Sequence, residues 1–72
     1  MRDQLDALVK QMVERGIHFD EAVAELEKRF IRRVFETHHG NQVRTARDLG
    51  IHRNTLSRKL RAYKLETNSR RH

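Results

Sequence analysis

Residues 42–60, QVRTARDLGIHRNTLSRKL, have the residue types and spacing of two short helices joined by a tight turn. Such helices cross closely, so the first needs a small residue at the crossing and the turn needs a residue that tolerates positive φ. Ala46 and Gly50 supply these, and Leu49, Ile51 and Leu56 provide apolar groups that fill the angle between the helices. The stretch predicts a helix-turn-helix with a basic second helix; a purely structural helical hairpin is the alternative.

The positive charge of the chain is concentrated in the half that contains this motif. The 72 residues carry a net charge of +6. Residues 1–36 have seven basic and eight acidic groups, which gives −1, whereas residues 37–72 have nine and two, which gives +7. Such a field favours a polyanionic partner. Readers of single-stranded RNA use aromatic platforms, and the motif half has only Tyr63, so double-stranded DNA is the favoured partner.

Three glycines divide the chain into helical segments. We expect helices over residues 4–15, about 21–39, 42–49 and 53–63. Asp3, Asp20 and Asn41 are the expected N-caps, and Gly16 and Gly40 end the first two helices. The chain is therefore predicted to be all-α, with four helices that end in the helix-turn-helix. Residues 1–40 form the dimerisation helices, residues 41–65 the DNA-binding unit and residues 66–72 a basic flexible tail.

A chain of this length buries only about 60% of its unfolded surface, and it has no cysteine to staple it. We therefore expect an intertwined homodimer whose core is formed by the first two helices; a monomeric four-helix core is the alternative. Glu27 falls within the apolar arc of the second helix, so an arginine or a backbone amide is its expected partner. The predicted dimer and core residues are Leu5, Leu8, Val9, Met12, Val13, Val23, Leu26, Phe30, Ile31, Val34 and Phe35.

Residues 25–65 resemble the Fis-type helix-turn-helix, found in the factor for inversion stimulation and at the C-terminus of NtrC-like enhancer-binding activators. The matching residues are Leu26, Glu27, Ile31, Gly40, Asn41, Ala46, Leu49, Gly50, Ile51, Arg53, Thr55, Leu56, Lys59, Leu60 and Tyr63. The resemblance implies a homodimer that binds and bends DNA, with Arg53 as the principal base reader. Val43 departs from the pattern, because it stands where a hydroxyl residue can contact phosphate. The chain also lacks the N-terminal arm and the ATPase domain of those proteins, so neither recombinase stimulation nor activation of the specialised polymerase is expected of it alone.

Contacts with DNA are assigned from the geometry of a recognition helix in the major groove, where N-terminal residues reach deepest. The predicted base contacts are His52, Arg53, Asn54 and Ser57. The predicted phosphate contacts are Asn41, Gln42, Arg44, Thr55, Arg58, Lys59 and Arg61. Arg53 has the planar fork that fits guanine O6 and N7, although a contact only to phosphate is the simpler alternative. Protonation of His52 near phosphates would tighten binding as the pH falls.

Other classes of function are less well supported. The chain has no catalytic constellation and no glycine-rich phosphate loop, and no cofactor is expected. No metal site is expected either, because His38 and His39 point about 100° apart and lack companion ligands. No apolar run is long enough to cross a membrane. We expect a cytoplasmic, nucleoid-associated bacterial DNA-binding protein, a transcription regulator or DNA-bending protein. It is either free-standing or the terminal domain of a larger activator. The competing interpretation is a dimeric helical adaptor that recruits protein, or an RNA-binding module.

Overall fold

The computed structural model describes residues 2–65, which form four α-helices. They are α1 (Arg2–Glu14), α2 (Phe19–Thr37), α3 (Gln42–Leu49) and α4 (Arg53–Ala62). No strand occurs in this range of the chain. The prediction of an all-α fold with four helices is confirmed. The predicted basic tail, residues 66–72, lies outside the described residues.

α1 begins two residues before its predicted start and ends at Glu14, one residue before its predicted end. Asp3 was expected to cap the helix, which is wrong: it lies in the first turn, where its charge interacts favourably with the unpaired N-terminal amides. Gly16 has φ +76°, and its N–H donates to the carbonyl of Val13 at 3.0 Å. The N–H of Ile17 donates to the carbonyl of Met12 at 3.1 Å. This paired closure is a Schellman motif, which requires a left-handed residue and explains the glycine.

The start of α2 also differs from the prediction. Asp20 was expected to be the N-cap, but the cap is His18, and Asp20 lies in the first turn. The Glu21 carboxylate accepts the backbone N–H of His18 at 3.2 Å, and the Asp20 carboxylate accepts that of Glu21 at 3.0 Å. The two acidic side chains thus bind amides that the helix itself leaves unpaired. α2 ends at Thr37, two residues before the predicted end.

The core lies where α2 packs against the helix-turn-helix formed by α3 and α4. Its buried apolar residues are Ile31, Phe35, Ala46, Leu56, Leu60 and Leu65, with Leu49, Ile51 and Tyr63 packed against them. Leu56 and Leu60 are fully buried and form the inner face of α4. Thr45 is buried as well, and its hydroxyl donates to the carbonyl of Asn41 at 2.7 Å, so the polar group is satisfied.

α2 presents a second apolar side that the described chain does not cover. Ile31 and Phe35 are buried against the helix-turn-helix, and Met12 and Val34 are half-buried. α1 contributes no buried residue. Within residues 2–65 the chain's own helices therefore do not bury both sides of α2. We call the uncovered set the exposed apolar face; its residues, 45% to 69% exposed, are Leu5, Leu8, Val9, Val13, Val23, Leu26 and Phe30.

Candidate nucleic-acid interface

α3 is fixed at both ends by residues that the sequence analysis singled out. The Asn41 side chain accepts the backbone N–H of Arg44 at 3.0 Å, which confirms its role as N-cap. Gly50 has φ +74°, and the N–H of Ile51 donates to the carbonyl of Ala46 at 3.1 Å. The left-handed glycine reverses the chain directly after α3, so that α4 begins only three residues later. The turn of the helix-turn-helix is therefore built as predicted.

His52 begins the recognition helix α4 as its N-cap. Its Nδ1 accepts the backbone N–H of Asn54 at 3.0 Å. An imidazole nitrogen accepts a hydrogen bond only when it carries no proton, so this cap requires the neutral ring with its proton on Nε2. A proton on Nδ1 would remove this cap. The loss of the cap would oppose the gain in DNA affinity that was predicted for a positively charged His52.

The side chains of α4 divide between the core and the solvent. Leu56 and Leu60 face inward and are fully buried. The predicted DNA-contacting residues on the opposite surface are exposed, namely Arg53, Asn54, Arg58 and Arg61, and His52 is exposed at the cap. Arg58 Nη2 donates to the Thr55 hydroxyl at 3.4 Å, and Thr55 is half-buried. The exposed surface of α4 has the shape and charge of a recognition face.

A hydrogen bond joins the first turn of α3 to α4. The Ser57 hydroxyl donates to Gln42 Oε1 at 2.8 Å, and both residues are half-buried. Ser57 was predicted to contact a base and Gln42 a phosphate. The bond uses the Ser57 proton and the Gln42 carbonyl, while the Gln42 amide NH₂ is not part of it. Sequence reasoning missed this contact, because the two residues are 15 positions apart and neither has a local signal for the other.

Glu27 of α2 binds two side chains from the C-terminal half of α4. Its Oε2 accepts from Lys59 Nζ at 2.7 Å and from the Tyr63 hydroxyl at 2.9 Å. The hydrogen bond from Lys59 holds the pKa of the Glu27 carboxyl below its ordinary value, against the opposing effect of desolvation. Burial, and then the hydrogen bond to Glu27, raise the pKa of the Tyr63 hydroxyl.

This arrangement bears on the predictions made for Glu27 and Lys59. Glu27 has a partner, as expected, but that partner is a lysine with a tyrosine and not an arginine or a backbone amide. The Glu27 side chain is 33% exposed, so it is less deeply buried than its place in the apolar arc suggested. Lys59 was predicted to contact phosphate; its ammonium group donates one hydrogen bond to the carboxylate of α2, and two of its N–H groups lie outside that bond.

The local charge favours an anionic partner. Residues 42–62 contain six basic residues and one acidic residue, which gives +5. The acidic residue, Asp48, accepts a hydrogen bond from His38 Nε2 at 2.7 Å, a contact between the ends of α3 and α2 that was not predicted from the sequence. Arg44 and Asn41, two of the predicted phosphate contacts, are exposed at the start of α3. A basic surface therefore extends from the start of α3 over the outer face of α4.

The described residues also bear on metal binding and membrane insertion. Within residues 2–65 no group of three potential ligands is close enough to hold a metal ion. None of the four described helices combines the length and the apolar character needed to cross a membrane.

Comparison with known protein families gives a match over residues 22–63, to the family described as bacterial regulatory protein, Fis family. Counting both ends, the match covers 42 of the 72 residues. It begins in α2 and includes all of α3 and α4. The resemblance found in the sequence is thereby confirmed over the core and the recognition helix. No curated protein and no solved structure matches the chain.

Proposed function

The chain belongs to the Fis family of bacterial regulatory proteins, and from this premise we propose that it binds double-stranded DNA as a homodimer, with a preference for certain sequences. A helix-turn-helix domain of this family is non-catalytic and implies DNA binding in transcription regulation. The finer proposal is that two recognition helices enter successive major grooves of a loosely palindromic site in the bacterial cytoplasm, and that the protein acts as a transcription regulator or bends DNA in the nucleoid.

One observation carries the proposal of DNA binding. α4 anchors Leu56 and Leu60 completely in the core while Arg53, Asn54 and Arg58 remain exposed on its outer surface. A helix held in this way presents polar and cationic side chains on a rigid support, which is what base-edge contacts require. The His52 cap fixes the first turn of α4, where the side chains penetrate deepest.

We assign roles from the positions of these side chains. Arg53, with His52 and Asn54, contacts base edges; a bidentate arginine–guanine contact is worth about 1 to 3 kcal/mol of discrimination. The remaining assigned side chains contact the phosphate backbone: Asn41, Gln42, Arg44, Thr55, Arg58 and Arg61. Ser57 orients Gln42 with its hydroxyl proton, and its oxygen remains free to accept from a base edge, as proposed for this residue. Lys59 stays in the proposed set of phosphate contacts, because Glu27 engages only one of the three N–H groups of its ammonium.

The test of DNA binding is selection from a random-sequence duplex pool at near-physiological salt. Wild type, Arg53→Ala and Arg29→Ala are titrated in parallel, and the bound DNA is sequenced. Arg29 is a matched control: it is also exposed, but it lies on α2 and pairs with Glu25. We expect a two-fold symmetric motif for wild type and the control, and loss of one base preference per half-site for Arg53→Ala.

Other outcomes would change the proposal. Enrichment that is identical for wild type and Arg53→Ala would contradict the base-reading role of Arg53. Binding without any enrichment would indicate an architectural protein that contacts only the backbone. Failure to bind duplex DNA would favour the adaptor or the RNA-binding module.

The exposed apolar face supports the proposal of a homodimer. The face runs along α2 through Val23, Leu26 and Phe30 and is bordered by a groove that reaches the turn of the helix-turn-helix. The groove is lined by Val23, Leu26, Glu27, Phe30, Ile31, Leu49, Ile51 and Lys59. α1 of a second copy would bring Leu5, Leu8 and Val9 to this surface, and burial of apolar area would stabilise both chains.

Sedimentation velocity over a range of protein concentrations tests the dimer. We expect wild type to sediment as a dimer and Phe30→Asp as a monomer, since an unpaired carboxylate in an apolar interface is strongly unfavourable. Val43→Asp is the control, because Val43 is also about half exposed, at 49%, but lies on α3 outside the face. A dimer that persists in Phe30→Asp would contradict an interface centred on this residue.

The family resemblance supports the further proposal that the dimer bends DNA. If the two recognition helices lie closer than one turn of DNA, about 34 Å, the duplex must bend to accept both. With four to six phosphates contacted per subunit, the slope of log K against log salt is about −7 to −11. Energy transfer between dyes at the two ends of a bound duplex would measure the bend directly, and an unchanged end-to-end distance would contradict it.

A further inference from the structure

We propose that Glu27 is a positioning residue for DNA recognition: through the side chains of Lys59 and Tyr63 it sets the angle at which α4 is held relative to α2. The proposal rests on the proposed binding of DNA by a dimer. It adds a specific role for a residue on the helix that supports the recognition helix and not on the recognition helix itself.

The geometry that supports this role is a shared acceptor. A single oxygen of Glu27 receives Lys59 Nζ at 2.7 Å and the Tyr63 hydroxyl at 2.9 Å. Lys59 and Tyr63 are four positions apart, so they lie on the same side of α4, one turn from each other. Because both donors converge on one atom, a rotation or tilt of α4 relative to α2 must lengthen the bond from the stiffer Tyr63 side chain or be taken up by rotamer changes of Lys59.

The apolar core alone fixes this angle less strictly. Ile31 and Phe35 of α2 pack in the same core as Leu56 and Leu60 of α4. Apolar burial has no directional preference, whereas hydrogen bonds weaken steeply as their geometry departs from linear. Glu27 is one helical turn before Ile31, so it extends the line of core residues on α2 with a directional contact.

A role limited to stability explains the cluster less well. The side chains of Glu27 and Lys59 are 33% and 34% exposed, and ion pairs of that exposure contribute little to stability. Pairing with Glu27 also engages one of the three N–H groups of Lys59 and draws the side chain toward α2. The Glu27 carboxylate thus engages Lys59 in a contact between α2 and α4, although a lysine on a DNA-binding helix usually serves affinity alone.

The consequence in the dimer is the spacing of the two half-sites. α2 contributes to the proposed dimer interface, so the position of each α4 relative to its own α2 determines the distance between the two recognition helices. If Glu27 is replaced by a residue that accepts no hydrogen bond, α4 gains freedom. The dimer then tolerates DNA sites of different spacing, while each half-site is still read by Arg53.

The experiment measures binding to duplexes that carry the selected half-sites at the preferred spacing, or with one or two base pairs inserted or removed. The variants are Glu27→Leu, which accepts no hydrogen bond, and Glu27→Gln, which keeps one acceptor oxygen. Glu25→Gln is the control, since Glu25 pairs with Arg29 on the outer surface of α2. Circular dichroism tests whether each variant is folded. If Glu27→Leu does not fold, Glu27→Gln is compared with wild type in its place.

We expect wild type and Glu25→Gln to lose about tenfold or more in affinity when the spacing is altered, as is typical when base contacts are misplaced. Glu27→Leu should lose less than about threefold, a difference of roughly 0.7 kcal/mol or less. Glu27→Gln should lie closer to wild type than Glu27→Leu, since it restores an acceptor. Affinity for a single half-site should change little in any of them.

Three results separate the possible failures. A folded Glu27→Leu that keeps the full spacing preference of wild type overturns the positioning role alone. A wild type that binds DNA with no spacing preference overturns the dimeric arrangement and this proposal with it. A wild type that does not bind duplex DNA overturns the proposed function as a whole.

Discussion

Replacement of Leu56 by alanine should remove a large part of the stability of the domain. Leu56 is fully buried at the centre of the core. The change removes three carbon atoms, which is worth about 2.4 kcal/mol at roughly 0.8 kcal/mol for each CH₂. The residual cavity raises the expected loss to about 2.7 to 5 kcal/mol. A natural domain of 72 residues has roughly 4 to 11 kcal/mol in total, so the variant retains little or no folded population under mild denaturing conditions.

The assay is urea unfolding followed by far-ultraviolet circular dichroism, with wild type, Leu56→Ala and Val43→Ala compared at equal protein concentration. Val43 is 49% exposed, so its replacement should change the free energy of unfolding by no more than about 0.5 kcal/mol. Equal concentration matters because association stabilises the folded chain by mass action. A loss below about 1 kcal/mol for Leu56→Ala, with an unchanged slope in urea, would refute the argument that Leu56 is at the centre of the core.

Four more measurements follow from the described contacts. Glu27 has a lowered pKa, so the stability it contributes is present at neutral pH and is lost as the pH falls below 4.5 through its folded-state pKa; Tyr63 has a raised pKa, so its contribution is lost as the pH rises past 10. Melting temperatures of Glu27→Gln should depend less on pH at both extremes, and parallel curves would contradict this. Asn41→Ala should lose about 0.5 to 2 kcal/mol in urea unfolding, whereas Asn41→Asp should keep the cap. Gly50→Ala should lose about 1 to 2 kcal/mol from its φ of +74° alone, because a Cβ there meets no atom within 4 Å; a neutral effect would show that the turn relaxes. His52→Asn should keep the cap of α4, whereas His52→Ala should lose about 0.5 to 2 kcal/mol in urea unfolding; equal free energies of unfolding for the two variants would contradict a cap held by Nδ1.

The helix-turn-helix could be predicted from sequence because its determinants are local. The Asn41 cap and the left-handed Gly50 act on backbone groups within three or four residues of themselves. The bounds of α3 were therefore predicted to the residue, and α4 ended one residue before its predicted end. The helical repeat of 3.6 residues per turn also predicts that Leu56 and Leu60 lie on the opposite side of α4 from its exposed cations.

The start of α2 was mispredicted because several polar residues compete for its first amides. Asp20 is a favoured capping residue, yet the Glu21 carboxylate reaches back to the N–H of His18, which makes His18 the cap. Statistical N-cap preferences rank each residue type by itself. The outcome depends on which side chains together satisfy the most unpaired amides.

Contacts between distant parts of the chain could not be predicted. The position of Glu27 in the apolar arc required a partner, but the choice of Lys59 and Tyr63 depends on how α2 crosses α4. The Ser57–Gln42 bond depends in the same way on the angle between α3 and α4. These angles are set by the packing of the whole core and not by any local pattern.

The bond between Ser57 and Gln42 limits what Gln42 can select in DNA. A free glutamine amide can both donate and accept, so it can form the paired contact with N6 and N7 of adenine. In this protein the Ser57 hydroxyl occupies the Gln42 carbonyl, and the NH₂ group is left to approach the duplex. One of the two lone pairs of that carbonyl is thereby engaged and the amide plane is held in one orientation, which hinders the paired contact with adenine. The NH₂ group stays suited to phosphate oxygens, which are the same at every base pair, so in the proposed complex a serine on one helix weakens the base preference of a residue on the other.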